Sequence, residues 1–293
     1  MKKSIGVDLG GTSVRTAIVN SEGEILKDLK ESSYAQQGPS VVLPHIADMI
    51  DRLGDISDCE GIGIGVPGPV DEERRVMTLS TNLPGFTDYP IAEVLEQHFQ
   101  KPVFVGNDAN AAGLAEALVG AGKMKKSVYY ITQSTGIGGA FILNGRVVSG
   151  KHGYAGEIGN IVIDRSRPKI NGLNAGAAEN EASGTAIRRY GYEKFGAESA
   201  IAVFDKARQG DPDALEILDH MSYDFAQLMS SIAHVVDPDI FVIGGGCSNA
   251  SDLYFDTVRK YFDQLVHPAM RDVEIAKAQL AEPGVLGAAF FVE

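Results

Sequence analysis

Two segments rich in glycine and hydroxyl side chains occupy equivalent places in the two halves of the sequence, at residues 8–15 (DLGGTSVR) and 134–139 (STGIGG). A tight turn with paired glycines presents backbone N–H groups and a Thr hydroxyl to an anion. A carboxylate at the end of a strand, such as Asp8, can hold Mg²⁺ through water. An ordinary hairpin turn explains either segment alone, but the repetition favours a pair of anion-binding turns.

Asp108 is a third residue whose position suggests chemistry. It directly follows a predicted strand at 103–106, where a carboxylate can orient an alcohol and accept its proton during phosphoryl transfer. The structural alternative is N-capping of the helix predicted to start near Ala109, because Asp is a preferred cap. The two roles are compatible, since a helix N-terminus also keeps a carboxylate ionised.

Hydrophobic periodicity predicts the elements that carry these residues. Three short strands open the chain at 4–8, 14–20 and 24–29. Helices follow at 41–53, 91–99 and 109–119, with strands at 61–66 and 103–106. The second half begins again with strands at 128–132, 140–143 and 146–148, and later has long helices and a strand at 240–243. This repetition predicts a duplicated α/β lobe with a cleft between the copies.

Residues 63–68 (GIGVPG) match the GxGxxG pattern of dinucleotide-binding folds and follow a predicted strand. A crossover helix should open at that point, but Pro67, Pro69 and the polar residues 71–75 carry no apolar helical period. The glycines are therefore predicted to shape a loop. The ordinary P-loop pattern GxxxxGK[ST] is excluded, because Lys123 is followed by Met124.

The amino-acid composition and the net charge of the chain disfavour several classes of protein function. The 293 residues carry 26 Lys and Arg against 39 Asp and Glu, a net charge of −13 that disfavours nucleic-acid and anionic-membrane partners. No apolar run approaches the ~20 residues that span a bilayer. The start of the chain, with Asp8 close behind two lysines, does not fit a signal peptide. Cys59 and Cys247 form no CxxC pair, so a cytoplasmic protein is expected.

Several further segments complete an ordered set with the two turns. They are the loops 66–71 (VPGPVD) and 81–86 (TNLPGF), the segment 107–110 (NDAN), residues 156–159 (GEIG), Glu179 with 182–184 (ASG), and 244–246 (GGG). With this set the sequence resembles the ROK family of bacterial sugar kinases and repressors nearly end to end. The resemblance implies the α/β, duplicated actin/hexokinase-like (ribonuclease H-like) ATPase fold, with two lobes around a cleft.

The resemblance also implies an activity and assigns residues to it. It implies an ATP- and Mg²⁺-dependent kinase that phosphorylates a hexose hydroxyl, O6 in the first place, with Asp108 as general base. The implied sugar-binding residues are Asn82, Asn107, Asp108, Glu157, Asn160 and Glu179. The implied ATP- and phosphate-binding residues are Asp8, Gly10, Gly11, Thr12, Thr135, Gly136, Gly245 and Gly246, and Asp8 would position Mg²⁺ through water. Glucose, N-acetylmannosamine, N-acetylglucosamine, fructose and a β-glucoside all remain open as substrates.

The sequence departs from the family pattern at a zinc site. Typical relatives carry a His directly after Glu-x-Gly and three cysteines in CxCGxxGC, which bind a structural zinc ion. Here the four positions hold Asn160, Ile170, Gly172 and Ala177. None of these side chains is a thiolate or an imidazole, so no zinc is expected. What braces the loop instead is not evident from the sequence.

The implied lobes are residues 1–119, completed by a C-terminal helix at 283–293, and residues 120–282. A homodimer is expected from the resemblance. The alternative interpretation is a non-catalytic, sugar-responsive regulatory or binding protein of the same family. A repressor needs an N-terminal helix-turn-helix module of about 60 residues, and only seven residues precede Asp8, so we expect no nucleic-acid partner.

Overall fold

Two five-stranded sheets of matching design form the framework of the computed structural model, which describes residues 2–292. The first sheet has the order β3-β2-β1-β4-β7. Its strands are β1 (Lys3–Leu9), β2 (Ser13–Asn20), β3 (Ile25–Ser32), β4 (Cys59–Val66) and β7 (Val103–Asn107). β2 pairs antiparallel with both β1 and β3, whereas β4 runs parallel to both β1 and β7. The predicted opening meander is therefore confirmed.

The second sheet repeats this plan with the order β10-β9-β8-β11-β12. Its strands are β8 (Ser127–Gln133), β9 (Ile137–Leu143), β10 (Arg146–Val147), β11 (Ile240–Gly244) and β12 (Glu274–Lys277). β9 and β10 are antiparallel, and β11 runs parallel to both β8 and β12. The predicted duplication is confirmed, although periodicity missed β12, a short strand with no fully buried residue.

Nine α-helices accompany the sheets within residues 2–292. They are α1 (Pro39–Arg52), α2 (Ile91–Phe99), α3 (Asp108–Val119), α4 (Glu179–Ala182), α5 (Gly184–Phe195), α6 (Ala200–Arg208), α7 (Pro212–Val236), α8 (Phe255–Leu265) and α9 (Pro283–Ala289). Three of the helices begin with proline. Pro is the first residue of α1, α7 and α9, a position at which the backbone N–H has no partner within the helix, so its absence costs no hydrogen bond. Within the same residues, no helix is both long and apolar enough to cross a membrane.

The segment after β4 does not open a helix, as predicted. Gly63 and Gly65 lie in β4 itself and only Gly68 lies in the loop, so the prediction that all these glycines shape a loop was wrong. A small hairpin of β5 (Val70–Asp71) and β6 (Val76–Met77) follows instead. Sequence patterns missed this hairpin, because two-residue strands are too short to show alternation.

The chain divides into two compact units. The first comprises residues up to 124, residues 140–156 and residues from 279 onward, and the second comprises residues 125–139 and 157–278. The predicted lobes assigned 140–156 to the second half instead. In the structure this segment packs within the first unit: a side chain at Gly153 would overlap the backbone of Val70, and a Cβ at Gly145 would lie 3.4 Å from Leu118.

A buried carboxylate ties the C-terminal segment into the first unit. Glu116 of α3 has 0% of its surface exposed. Its two oxygens accept hydrogen bonds from the backbone N–H groups of Ala121, Gln279 and Leu280, at 2.8, 2.9 and 2.8 Å. Because buried N–H groups must be paired, this carboxylate fixes where the chain enters α9.

The C-terminal helix packs on the first sheet through glycines. A Cβ at Gly6 of β1 would overlap the backbone of Val285, and one at Gly63 of β4 would overlap that of Ala288. A Cβ at Gly287 in α9 itself would overlap the backbone of Ala111 in α3. Gly63, the first glycine of the GxGxxG match, thus admits a helix backbone at very short range, as Gly6 does.

Gly63→Ala is expected to lower the free energy of unfolding by about 1–3 kcal/mol, because an added methyl group must push α9 away from β4. Gly65→Ala on the same strand is the matched control, since its Cβ would meet the Cβ of Ala111 at an ordinary 3.5 Å. Denaturant unfolding of both variants measures the difference. Equal stability of the two variants would contradict the proposed close packing.

Candidate functional site

Asp8 and Asp108 lie at the same edge of the first sheet. In the strand register Asp8 is paired with Gly65 of β4, and Gly65 is paired with Gly106 of β7. Asp108 follows two residues later, and a Cβ at Gly65 would lie 3.7 Å from its Cα. The carboxyl ends of parallel strands thus bring together two carboxylates that are 100 residues apart in sequence.

The helix that carries Asp108 is capped by its neighbour. The Oδ1 atom of Asn107 accepts hydrogen bonds from the N–H groups of Ala109 and Asn110, at 2.9 and 3.1 Å. Its Nδ2 donates to the carbonyl of Gly68 at 3.0 Å. The capping role considered for Asp108 therefore belongs to Asn107. Asp108 is the first residue of α3, and its Oδ1 accepts from the N–H of Ala109 at 2.8 Å.

Asp8 is surrounded by charges that the sequence separates widely. Burial raises the pKa of its carboxyl, the charge of Glu282 raises it further, and Lys30 and Arg15 lower it. The segment before α9 lies against it, since a Cβ at Gly284 would be 2.6 Å from its Oδ2. Sequence reasoning missed Glu282, and no spacing signal links residues more than 270 positions apart.

The first glycine turn lies next to the loop that carries Asn82. The turn is closed by a hydrogen bond from the N–H of Gly10 to the carbonyl of Ser13 at 2.9 Å. A Cβ at Gly11 would lie 3.6 Å from the carbonyl oxygen of Asn82. Gly11, Thr12 and Asn82 are all exposed. The first unit therefore gathers every predicted site residue before position 110 around one end of its sheet.

In the second unit, Glu179 reaches the second glycine turn. Its Oε2 accepts a hydrogen bond from the N–H of Ile137 at 2.8 Å. A Cβ at Gly136 would lie 2.5 Å from the same oxygen, and a Cβ at Gly159 would lie 3.1 Å from it. Only glycine permits this approach, so the turn, Glu179 and the segment after Glu157 form one cluster.

The carboxylate of Glu179 acts on that of Glu157. Desolvation by the surrounding loops, followed by the negative charge of Glu179, raises the pKa of Glu157. Two like charges in one cluster are typical of sites that bind polar ligands rather than of structural ion pairs.

The third glycine motif adjoins the same turn. Gly245 has φ +83°, and a Cβ there would lie 2.5 Å from the carbonyl oxygen of Gln133, directly before the turn. A Cβ at Gly246 would lie 3.8 Å from the Oγ of Ser134. On the other side of the turn, the carbonyl of Thr135 accepts a hydrogen bond from the N–H of Thr185 at 3.3 Å. Thr135, Gly136, Gly245 and Gly246 are therefore neighbours, as their shared predicted role requires.

Asparagine side chains hold the loop that includes the four zinc positions. The Oδ1 of Asn160 accepts from the N–H of Asn174 at 2.7 Å, and the Nδ2 of Asn174 donates to the carbonyl of Asn160 at 3.2 Å. The carbonyl of Ile170 accepts from Asn180 at 3.1 Å, and Ala177 forms a β-bridge with Val162. In the part of the chain that the structure describes, no group of three or more His, Cys, Asp and Glu could hold a metal ion.

Known proteins share the sequence pattern of this chain over almost its whole length. A family model described as the ROK family matches residues 4–293. The chain belongs to the ROK family. A glucokinase from Thermotoga maritima is 35% identical to this ROK protein over 308 residues, covering 99% of this chain and 97% of the relative. The family assignment from the sequence is thereby confirmed.

Solved ROK structures share the architecture. A ROK hexokinase from Thermus thermophilus has a TM-score of 0.89 and 32% identity, covering 98% of this chain and 96% of its own. A ROK family glucokinase from Streptomyces griseus, in complex with glucose and AMPPNP, has a TM-score of 0.81 and 30% identity, covering 99% and 98%. These likenesses confirm the predicted actin/hexokinase-like fold class.

The pair of glutamates gives a pH prediction. Glu179→Gln is expected to lower the pKa of Glu157 toward its ordinary value, because one of the two causes that raise it is removed. Carboxyl-carbon NMR titration measures this pKa. Glu198→Gln, at an exposed glutamate of the same unit, is the control and should leave it unchanged. An unaltered pKa in Glu179→Gln would show that the two carboxylates do not interact.

The asparagine-held loop gives a prediction about metal. The purified protein is expected to contain no stoichiometric zinc and to keep its melting temperature in a strong chelator, because the four positions offer no zinc donors. Elemental analysis and thermal unfolding with and without chelator are the measurements. One tightly held zinc ion per chain, or a chelator-induced fall in melting temperature, would refute this.

Proposed function

We propose that this ROK protein is an ATP-dependent sugar kinase that transfers the γ-phosphoryl group of ATP to a hexose hydroxyl, O6 in the first place. The observation that carries the proposal is the placement of Asp108 on the first turn of α3, at the sheet edge shared with Asp8 and the turn 10–12. The kinase names of its relatives support the same reaction class.

Asp108 is assigned as the general base. Its carboxylate accepts the proton of the sugar hydroxyl, the hydroxyl oxygen forms a bond to the γ-phosphorus, and the bond from that phosphorus to the β–γ bridging oxygen breaks to release ADP. The N-terminus of α3 and the N–H of Ala109 favour the ionised carboxylate.

The phosphate-binding role is assigned to backbone N–H groups of the two glycine turns and to the hydroxyls of Thr12 and Thr135. Asp8 fits a magnesium ion bound through water, because it is a hard oxygen donor whose ionised form is destabilised by burial and by Glu282. A bound Mg²⁺ would neutralise phosphate charge. Gly245 and Gly246, with no side chains, are assigned to the adenosine, which they allow close to the backbone.

Sugar recognition is assigned to a set of polar side chains. Asn82 and Glu157 are exposed, and Glu179 is held by Ile137, so each can exchange hydrogen bonds with hydroxyl groups. The side-chain nitrogen and oxygen of Asn107 both form hydrogen bonds to the backbone. We therefore assign Asn107 the role of fixing the loop at Gly68 beside the sugar. In Asn160 the Oδ1 bonds to Asn174, which leaves its amide nitrogen as the assigned sugar donor.

The identity of the sugar is the first question for experiment. A coupled assay of ADP release with glucose, N-acetylmannosamine, N-acetylglucosamine, fructose and cellobiose compares kcat/KM across the candidate classes. Turnover of at least one of them supports the kinase. Sugar binding by calorimetry without turnover of any sugar would instead favour the non-catalytic sugar-responsive protein.

Asp108→Asn is expected to keep the fold and sugar binding while kcat falls by about 10² or more, the usual effect of losing a general base. Asp48→Asn, at an exposed aspartate of α1 that pairs with Arg52, is the matched control and should turn over like the wild type. Steady-state kinetics with a calorimetric check of binding decide the point. Wild-type kcat in folded Asp108→Asn would remove Asp108 from the reaction.

A further inference from the structure

Helix α4 is a single turn that carries two glutamates with different surroundings. Glu179 bonds to the glycine turn through Ile137, whereas the side chain of Glu181 is 1% exposed and faces Arg167. A helix of four residues has almost no stability of its own, because nucleation costs more than one turn returns. Its position, and with it that of Glu179, must be set by its neighbours.

Arg167 makes one of these neighbouring contacts. Its guanidinium donates two hydrogen bonds to Asp224 of α7, at 2.6 and 2.9 Å. The same Nη1 lies 3.0 Å from the carboxylate of Glu181. The planar guanidinium suits this geometry, since it can bind one carboxylate with two donors and still reach a second. Arg167 therefore joins α4 to α7.

Loss of the ion pairs between Arg167 and the carboxylates of Glu181 and Asp224 would destabilise the fold. The side chains of Glu181 and Asp224 are 1% and 4% exposed. Burial raises the pKa of Asp224, and the hydrogen bonds and charge of Arg167 oppose that rise. Arg189 lies 3.6 Å from Glu181, and the Tyr190 hydroxyl donates to the same carboxylate. Removing Arg167 would leave two buried carboxylates, with Arg189 beside Glu181 and only the charge interaction of His220 with Asp224 among the contacts described.

The loop that carries Arg167 is itself joined to α4 at several points. The N–H of Ala178 donates to the carbonyl of Ile161 at 2.8 Å, and Asn180 bonds to the carbonyl of Ile170. Arg167 also lies 3.3 Å from Asp164 in its own loop. A shift of Arg167 would thus be passed to α4 both directly, through Glu181, and through the loop.

We propose that Arg167 is a positioning residue for sugar recognition: its clamp on Glu181 and Asp224 sets the place of α4 and so holds Glu179 against the glycine turn. The sugar-binding part of this inference rests on the proposed kinase function. The conformational part does not depend on it, because Glu179 and the turn are in contact whatever they bind. The two parts can therefore fail separately.

The first test compares Arg167→Met and Arg167→Lys with Arg165→Met, at an exposed arginine of the same loop. In Arg167→Met we expect the KM for sugar to rise at least about tenfold and the KM for ATP to rise by a smaller factor, because Glu179 is assigned to the sugar and touches the phosphate turn through the N–H of Ile137. Arg167→Lys should be intermediate, because it keeps the charge and loses the two-donor geometry. Arg165→Met should match the wild type. Equal rises in both KM values, or none, would overturn the proposal.

The second test separates positioning from stability. The variant Arg167→Met/Glu181→Gln/Asp224→Asn removes all three charges together, which avoids a buried unpaired carboxylate. We expect its melting temperature to return toward the wild-type value while the raised KM for sugar persists. A KM for sugar that recovers together with the melting temperature would reduce Arg167 to a purely structural role and refute the proposal.

Amide hydrogen exchange tests the conformational part of the proposal without requiring enzymatic activity. Faster exchange at residues 157–163 and 178–184 is expected in Arg167→Met and in the triple variant, compared with Arg165→Met. Unchanged exchange in these segments would overturn the clamp even if the sugar KM rises. If the wild-type protein turns over no sugar, the proposed function fails, and exchange alone still decides whether Arg167 positions α4.

Discussion

Close packing of α9 on the glycines of β1 and β4 is the contact on which the first unit depends. Without side chains at Gly6 and Gly63, the last helix of the chain can lie directly on β1, which contains Asp8, and on β4, which pairs with the strand β7 before Asp108. This contact brings Glu282 beside Asp8 and alters the pKa of that carboxyl. The end of the chain thus helps to set the electrostatics of a site whose residues lie near its beginning.

Carboxylates occur in two kinds of environment in this protein, and the environment indicates whether a carboxylate stabilises the fold or is available to a ligand. Glu116, Glu181 and Asp224 are buried and bonded to N–H groups or to arginine, an arrangement that stabilises structure. The pKa values of Asp8 and Glu157 are raised by burial and by a second carboxylate, and Lys30 and Arg15 offset the rise at Asp8 only in part. Ionised groups that the fold stabilises poorly are common where a ligand completes the charge balance.

The loop between β10 and α4 shows how polar contacts fix irregular chain. Asn160 and Asn174 bond reciprocally, and Arg167 links the loop to buried carboxylates on two helices. Hydrogen bonds to charged groups are stronger than neutral ones and are directional. The long irregular segment between β10 and α4 therefore acquires a defined conformation, and its contacts help to fix the position of Glu179.

The sequence by itself determined the α/β class, the duplication, most helices and strands and the candidate residues, because alternation, helical period and glycine turns are local properties. It also identified the ROK family. Only the tertiary structure decided that Asn107 caps α3 in place of Asp108, that Glu282 lies beside Asp8, and that Arg167 reaches Asp224 and Glu181. These are contacts between distant segments, and their geometry depends on packing that no local pattern encodes. The short strands β5, β6 and β12 were missed for the same reason, since their pairing partners, rather than their own residues, define them.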